Sequence, residues 1–212
     1  EKLTKHNDQE VCHICAGMYR FSKEIQEQYY LVTKEKGLPI GPGAYIRGVS
    51  KDELAQEEWT RVYVKNSYST DLLKATHVFV GDYKYAEIDQ YANLSKDSES
   101  GQGIKRLAVL RLDVDDLGAA FMAGFSYQAG GKFNTLARSA TFSRSMSLFF
   151  KVYINQFAKE KKLSIIYAGG DDVFAIGSWQ DIIEFTICLR QNFIKWTNGK
   201  LTLSAGIGLF PD

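Results

Sequence analysis

A chain of 212 residues with 45% hydrophobic content is long and apolar enough to bury a core, which excludes a disordered polypeptide. Its 26 basic and 25 acidic side chains nearly cancel, which excludes the global positive field of a nucleic-acid coat and leaves only local contacts with nucleotides or nucleic acid. Apolar runs such as 164–168 and 182–189 fall far short of the roughly 20 residues a membrane span needs, and no signal-peptide pattern opens the chain; a cytoplasmic protein without a membrane partner is expected.

Residues 1–103 differ in texture from the rest. Near their start "EVCHICAG" carries Cys12 and Cys15 as a single C-x-x-C. With Cys188 the cysteines are too few and too unevenly placed for a disulfide framework. The Gly/Pro-rich stretch "GLPIGPGAYIRG" lacks the Lys-Ser/Thr ending of a P-loop and reads as a loop. Alternating stretches follow at 61–64 and 77–80, and the polar run 93–103 reads as a linker. A boundary is therefore expected at 103/104. The chain runs from Glu1 to "GLFPD" and is expected to be a piece of something larger.

From Lys105 onward the pattern is regular. "RLAVLRLDV" reads as a strand, and "DDLGAAFMAGF" as a helix with acidic residues in its first turn. After Gly130-Gly131, apolar residues at Leu136, Ala140, Met146, Phe149, Phe150, Tyr153, Ile154 and Phe157 predict one long amphipathic helix ending in the basic run 159–162. "LSIIYA" and "VFAIGSW" form a hairpin around Gly169-Gly170-Asp171-Asp172. A second helix stops near Asn198-Gly199, and "LTLSAGIGLF" is a last strand. The order βαββαβ predicts an α+β, ferredoxin-like domain over 104–212, an antiparallel sheet with helices on one face.

That topology sets the first strand beside the central hairpin, so Asp113, with Asp115 and Asp116 after it, should meet Asp171 and Asp172 at one sheet edge. Carboxylates gathered without Arg or Lys among them repel. A divalent cation, Mg²⁺ or Mn²⁺, is the natural counter-charge, and two such ions can activate a hydroxyl and stabilise a leaving pyrophosphate. Positive φ is expected at Gly169 and Gly170, whose missing Cβ atoms let a nucleotide approach the main chain. The helix start at Asp116, Leu117 and Gly118 offers free N–H groups for phosphate. Each feature has a plainer reading: Gly-Asp pairs make ordinary turns, and Asp after a strand often caps a helix. Their conjunction favours a site.

"LRLDVDDLGAAF", "SRSMSLFFKVYINQF", "YAGGDDVFAIG" and "LSAGIGLF" resemble the second palm domain of the large polymerase-like subunit of type III CRISPR effector complexes, most closely the Csm (type III-A) form. The resemblance implies the polymerase and nucleotide-cyclase palm fold. It implies a GGDD site that joins ATP into cyclic oligoadenylate when target RNA is bound, with crRNA and the other effector subunits as partners. It further implies that Asp113, Asp171 and Asp172 bind the metals, with the Val114 carbonyl a further ligand, and that backbone near Asp116 to Gly118 holds the triphosphate. "EVCHICAG" looks like the family's zinc-binding insertion, so residues 1–103 are expected to be a zinc-binding and linker region. The family's HD nuclease has no His-Asp pair here, and a second palm is expected to complete the pocket.

Structural zinc wants four ligands, so Cys12 and Cys15 require a second pair from elsewhere; two uncoordinated thiols are the alternative. Cys188 reads as core rather than nucleophile. Ser143, Ser145 and Ser147 form a polar row that either touches a base or ribose or is a solvated or packing face. Two other functions compete with the cyclic oligoadenylate synthase: a GGDEF-like diguanylate cyclase, disfavoured because Val173 follows Asp172 where that family has an acid, and a non-catalytic architectural subunit, which would not need the three aspartates together.

Overall fold

The computed structural model describes residues 3–6, 9–72, 74–95, 104–123 and 135–211. The chain divides into two compact units, Glu1–Phe79 and Val80–Asp212. The division falls well ahead of the boundary expected at 103/104, because residues after Val80 join the second unit's sheet. Of the polar run 93–103, only residues 93–95 are described; the rest lies outside the described residues.

The first unit is a folded α+β module rather than a linker. A hairpin of β1 (Leu3–His6) and β2 (Gln9–Cys12) leads into α1 (His13–Glu24). Next come β3 (Tyr29–Thr33), β4 (Leu38–Gly41), β5 (Ala44–Val49), α2 (Lys51–Leu54), β6 (Arg61–Lys65) and β7 (Ala75–Val78). The strands form a sheet of order β4-β5-β3-β6-β7, antiparallel except for the β6–β7 pair. The stretch expected to be a loop is the β4–β5 hairpin. Its prolines and glycines sit where a hairpin uses them: Pro39 on the edge strand, where a missing N–H is harmless, and Gly43 in the turn at φ +63°.

The second unit holds the predicted fold. A short strand β8 (Tyr83–Lys84) and α3 (Tyr91–Leu94) precede β9 (Leu107–Val114) and α4 (Leu117–Ala123). Then follow α5 (Leu136–Leu148), a π-helical turn (Phe149–Tyr153), α6 (Ile154–Ala158), β10 (Leu163–Ala168), β11 (Val173–Ser178), α7 (Trp179–Trp196) and β12 (Leu203–Phe210). The sheet order is β12-β9-β11-β10-β8 with every adjacent pair antiparallel. Without β8 this is the ferredoxin-like order, so the second hairpin strand, not the first, lies against β9.

One face of this sheet is the core. Alternate residues Ala108, Leu110, Leu112 and Val114 of β9 are buried against Phe149, Phe150 and Ile154 and against Ile182, Phe185, Leu189 and Phe193 of α7. The expected long helix is broken into α5 and α6 by the π turn. Met146, Phe150, Ile154 and Ala158 are all buried, a spacing of four that drifts off the face of a 3.6-residue helix and that one wider turn restores. Leu136, expected on that face, is 87% exposed. The helix expected over 115–125 is described as far as Ala123. On the opposite face α3 covers only one end, where the Tyr91 hydroxyl meets Ser164 Oγ at 2.6 Å. Among the described residues no helix is long and apolar enough to cross a membrane.

Asp115 ties the end of β9 to the start of β12. Its N–H donates to the Thr202 carbonyl (3.0 Å), and its carboxylate accepts from the Ser204 and Thr202 hydroxyls. Those two hydrogen bonds, Ser204 first, and the Arg190 charge hold the Asp115 carboxyl below the usual carboxylate range.

Two outcomes are expected. Phe149 touches Phe150, Phe157, Phe193 and Trp196, so Phe149→Ala should cost about 3–5 kcal/mol in urea denaturation. Because the pKa of Asp115 is lower folded than unfolded, its stabilisation is complete above the ordinary carboxylate pKa of about 3.9 and is lost as pH falls through the folded value. Asp115→Asn should therefore lower the urea midpoint at neutral pH and flatten its decline as pH falls below about 3.9.

Candidate active site

The register of β9 against β11 builds the site. Their last regular pair is Leu112 with Val173, and the ladder runs one step further, the Val114 N–H donating to the Asp171 carbonyl at 3.1 Å. Asp113 is thereby set opposite Asp172. Leu112, Val114 and Val173 are buried, so strand alternation turns Asp113 and Asp172 to the other face, the one free of the large helices. Directly opposed residues of an antiparallel pair have Cβ atoms about 4.5–5.5 Å apart. Asp171 is one step out of phase and stands exposed at the tip.

The open face is laid out in rows. Beside Asp113 lies Ser204 of β12; in the next row Arg111 sits between Gly206 and Phe174, and Phe174 pairs with Tyr167. Arg111 is exposed on the same face as Asp113, about 7 Å along the strand. The face that carries the aspartates thus also carries a cation, against the expectation of carboxylates gathered without Arg or Lys among them.

The tip has its own geometry. Gly169 N–H donates to the Asp172 carbonyl at 2.9 Å and closes the turn. Neither Gly169 nor Gly170 adopts positive φ, so the expected conformational role is corrected to one of space. A Cβ on Gly169 would lie 2.3 Å from the Tyr167 hydroxyl oxygen and 2.8 Å from Asp172 Oδ1, whereas one on Gly170 would meet nothing within 4 Å. The Tyr167 hydroxyl and the Asp172 carboxylate thus converge over Gly169, a proximity that the sequence pattern does not announce.

Asp116 carries a φ of +55°, and its carbonyl accepts the Ala120 N–H at 3.0 Å as α4 begins. Leu117 and Gly118 form the first residues of that helix. Ser145 accepts a hydrogen bond from Trp196 Nε1 at 3.1 Å, which commits it to the helical layer; Ser143 is exposed. Val173 is 1% exposed, so an acid at that position would be buried.

The donor set suits a hard divalent cation. Mg²⁺ takes one or two carboxylates and completes its shell with water and substrate phosphates, and Asp113 and Asp172 offer two from adjacent strands. Among the described residues no three His, Cys, Asp or Glu side chains form a ready-made cage, so a cation here depends on substrate oxygens. In the first unit, Cys12 caps α1 and its sulfur accepts the Cys15 N–H at 3.4 Å.

Residues 106–212 match the family model of the Cas10/Cmr2 second palm domain. The chain is 71% identical, over its whole length, to the CRISPR system single-strand-specific deoxyribonuclease Cas10/Csm1 (subtype III-A) of Streptococcus thermophilus and spans 28% of that protein. Its fold is similar to the Csm1–Csm4 cassette in complex with cA4, with a TM-score of 0.68 at 26% identity over 87% of this chain and 28% of that one. It is likewise similar to the cassette in complex with one ATP, with a TM-score of 0.69 at 25% identity over 94% of this chain and 30% of that one. The chain thus covers under a third of the proteins it matches. With the GGDD tip and its palm sheet on one side and these matches on the other, the chain belongs to the Cas10 family, as a Csm1-type sequence of type III-A CRISPR systems that carries the second palm domain.

Proposed function

We propose that this chain supplies the catalytic palm of a nucleotidyltransferase that converts ATP to cyclic oligoadenylate, within a type III-A effector complex that holds crRNA, has bound target RNA and serves antiviral defence. The observation that carries the reading is the β9–β11 register, which pairs Asp113 with Asp172 on the open face beside the tip. Csm1–Csm4 cassettes of similar fold are solved in complex with cA4 and with one ATP, which supports a nucleotide ligand.

In the reaction a ribose 3′-oxygen of one nucleotide attacks the α-phosphorus of another. A P–O bond forms, the bond to pyrophosphate breaks, and the hydroxyl proton leaves to solvent. Bound Mg²⁺ or Mn²⁺ would lower the pKa of the attacking hydroxyl and offset charge on the leaving group. Asp113, Asp171 and Asp172, with the Val114 carbonyl, would hold the cations. Gly170, with open space where a side chain would be, lets the nucleotide reach the tip, and Gly169 keeps the tip compact. The backbone from Asp116 through Leu117 to Gly118 faces the triphosphate, as N–H groups at a helix start suit phosphate. A second palm, outside this chain, completes the pocket.

Zinc at Cys12 and Cys15 is a separate structural proposal. A C-x-x-C whose first sulfur caps a helix and accepts an amide N–H has the form of half a zinc site, and two further ligands come from elsewhere in the longer protein.

Full-length subunit in the assembled complex, given ATP, Mg²⁺ or Mn²⁺ and target RNA, is expected to yield oligoadenylate by mass spectrometry. Asp171→Ala/Asp172→Ala and Asp113→Asn should each cut the yield by about 100-fold or more. No product from the wild type, or undiminished product from these variants, overturns the reading; cyclic diguanylate from GTP would point to the other cyclase. Elemental analysis of the full-length protein is expected to find zinc that falls when Cys12→Ser and Cys15→Ser are combined.

A further inference from the structure

We propose that Tyr167 is a positioning residue for the Asp172 carboxylate, and that Gly169 is glycine because the tyrosine hydroxyl passes over it to reach that carboxylate. The proposal rests on the reading of Asp172 as a metal-binding residue and adds to it the group that orients it.

Three observations meet at this contact. The first is a β-bulge. The β10–β11 register shifts between Ile165, which pairs with Ala175, and Tyr167, which pairs with Phe174. Without that shift, Tyr167 would stand opposite buried Val173 and point into the core. With it, Tyr167 is 52% exposed on the open face, the face of Asp172. Bulges beside active sites commonly re-aim one side chain in this way.

The second observation is steric. The hydroxyl oxygen of Tyr167 and Oδ1 of Asp172 both crowd the point where a Cβ on Gly169 would stand, at 2.3 and 2.8 Å. Since Gly169 has no positive φ, backbone conformation does not require glycine there; this contact does. The third is chemical. A phenol is an O–H donor and an ionised carboxylate an acceptor, and an oxygen of each stands at the same point over Gly169. Engaging the carboxylate through a fixed O–H holds Asp172 in one rotamer and leaves lone pairs of the same carboxylate for a cation, as outer partners of metal-binding carboxylates do.

The test uses the full-length subunit in its assembled complex and two readouts: Mn²⁺ binding, from the EPR signal of free Mn²⁺ in the presence of a non-hydrolysable ATP analogue, and the split between kcat and the KM for ATP. Tyr167→Phe is expected to leave assembly and Tm unchanged, weaken Mn²⁺ binding by about 10-fold or more and lower kcat to a similar degree, with little change in KM. Gly169→Ala should give the same pattern from the other side of the contact. Combined, the two should be no worse than either alone, as for substitutions that break one interaction. Tyr167→Phe with wild-type Mn²⁺ binding and kcat overturns the proposal, as does a double variant equal to the product of the singles. Asp172→Asn separates this from the underlying reading. If it leaves Mn²⁺ binding intact, the metal role of Asp172 fails and the proposal with it; if it abolishes binding while Tyr167→Phe does not, only the proposal fails.

Discussion

Everything at the tip of the palm sheet depends on the pairing of β9 with β11. A side-chain period of two means that a slip of one residue would send Asp113 or Asp172 into the apolar layer and bring a leucine or valine out. The register is held by what the slip would destroy: the buried series Ala108, Leu110, Leu112 and Val114 facing Val173 and Ala175 across the ladder. Gly177 continues that row because a Cβ there would lie 2.5 Å from the Leu163 Cβ and 2.6 Å from the Lys162 carbonyl oxygen. Packing on one face thus determines chemistry on the other, and no carboxylate has to be buried to be well placed.

The electrostatics follow the same division. Of the three acids at the end of β9, Asp115 is taken up by Ser204 and Thr202 and spent on structure, and Asp116 occupies the left-handed corner before α4. Asp113 alone is turned toward Asp172. Arg111 stands exposed one row away, and Gly206 beside it keeps that part of the surface low.

Much of this was legible in the sequence. The βαββαβ order, the limits of the hairpin and the approach of Asp113 to Asp172 follow from period-two and period-four patterns and from topology rules that do not depend on detail, while Asp171, expected with them, stands one step out of phase. What escaped was what depends on one residue more or less. The π turn and the Ile166 bulge each absorb an irregularity in spacing, and neither Phe149-Phe150 nor Ile165-Ile166 announces which of its members is in register. Exposed Leu136 shows the limit of periodicity when a helix extends past its partner layer. In the first unit Pro39 and the glycines around it read as a loop because the same residues serve edge strands and turns, and only a neighbouring strand tells the two apart.

The bulge at Ile166 divides the hairpin into two phases, one counted from the core and one counted from the tip. Ile165 anchors the first through its pairing with buried Ala175, and Tyr167 anchors the second through its pairing with Phe174. A slip of β10 by one residue would expose buried Ile165 and turn Tyr167 inward at once. Core and tip are thus held by a single register, and one inserted residue decides which face the tyrosine shares.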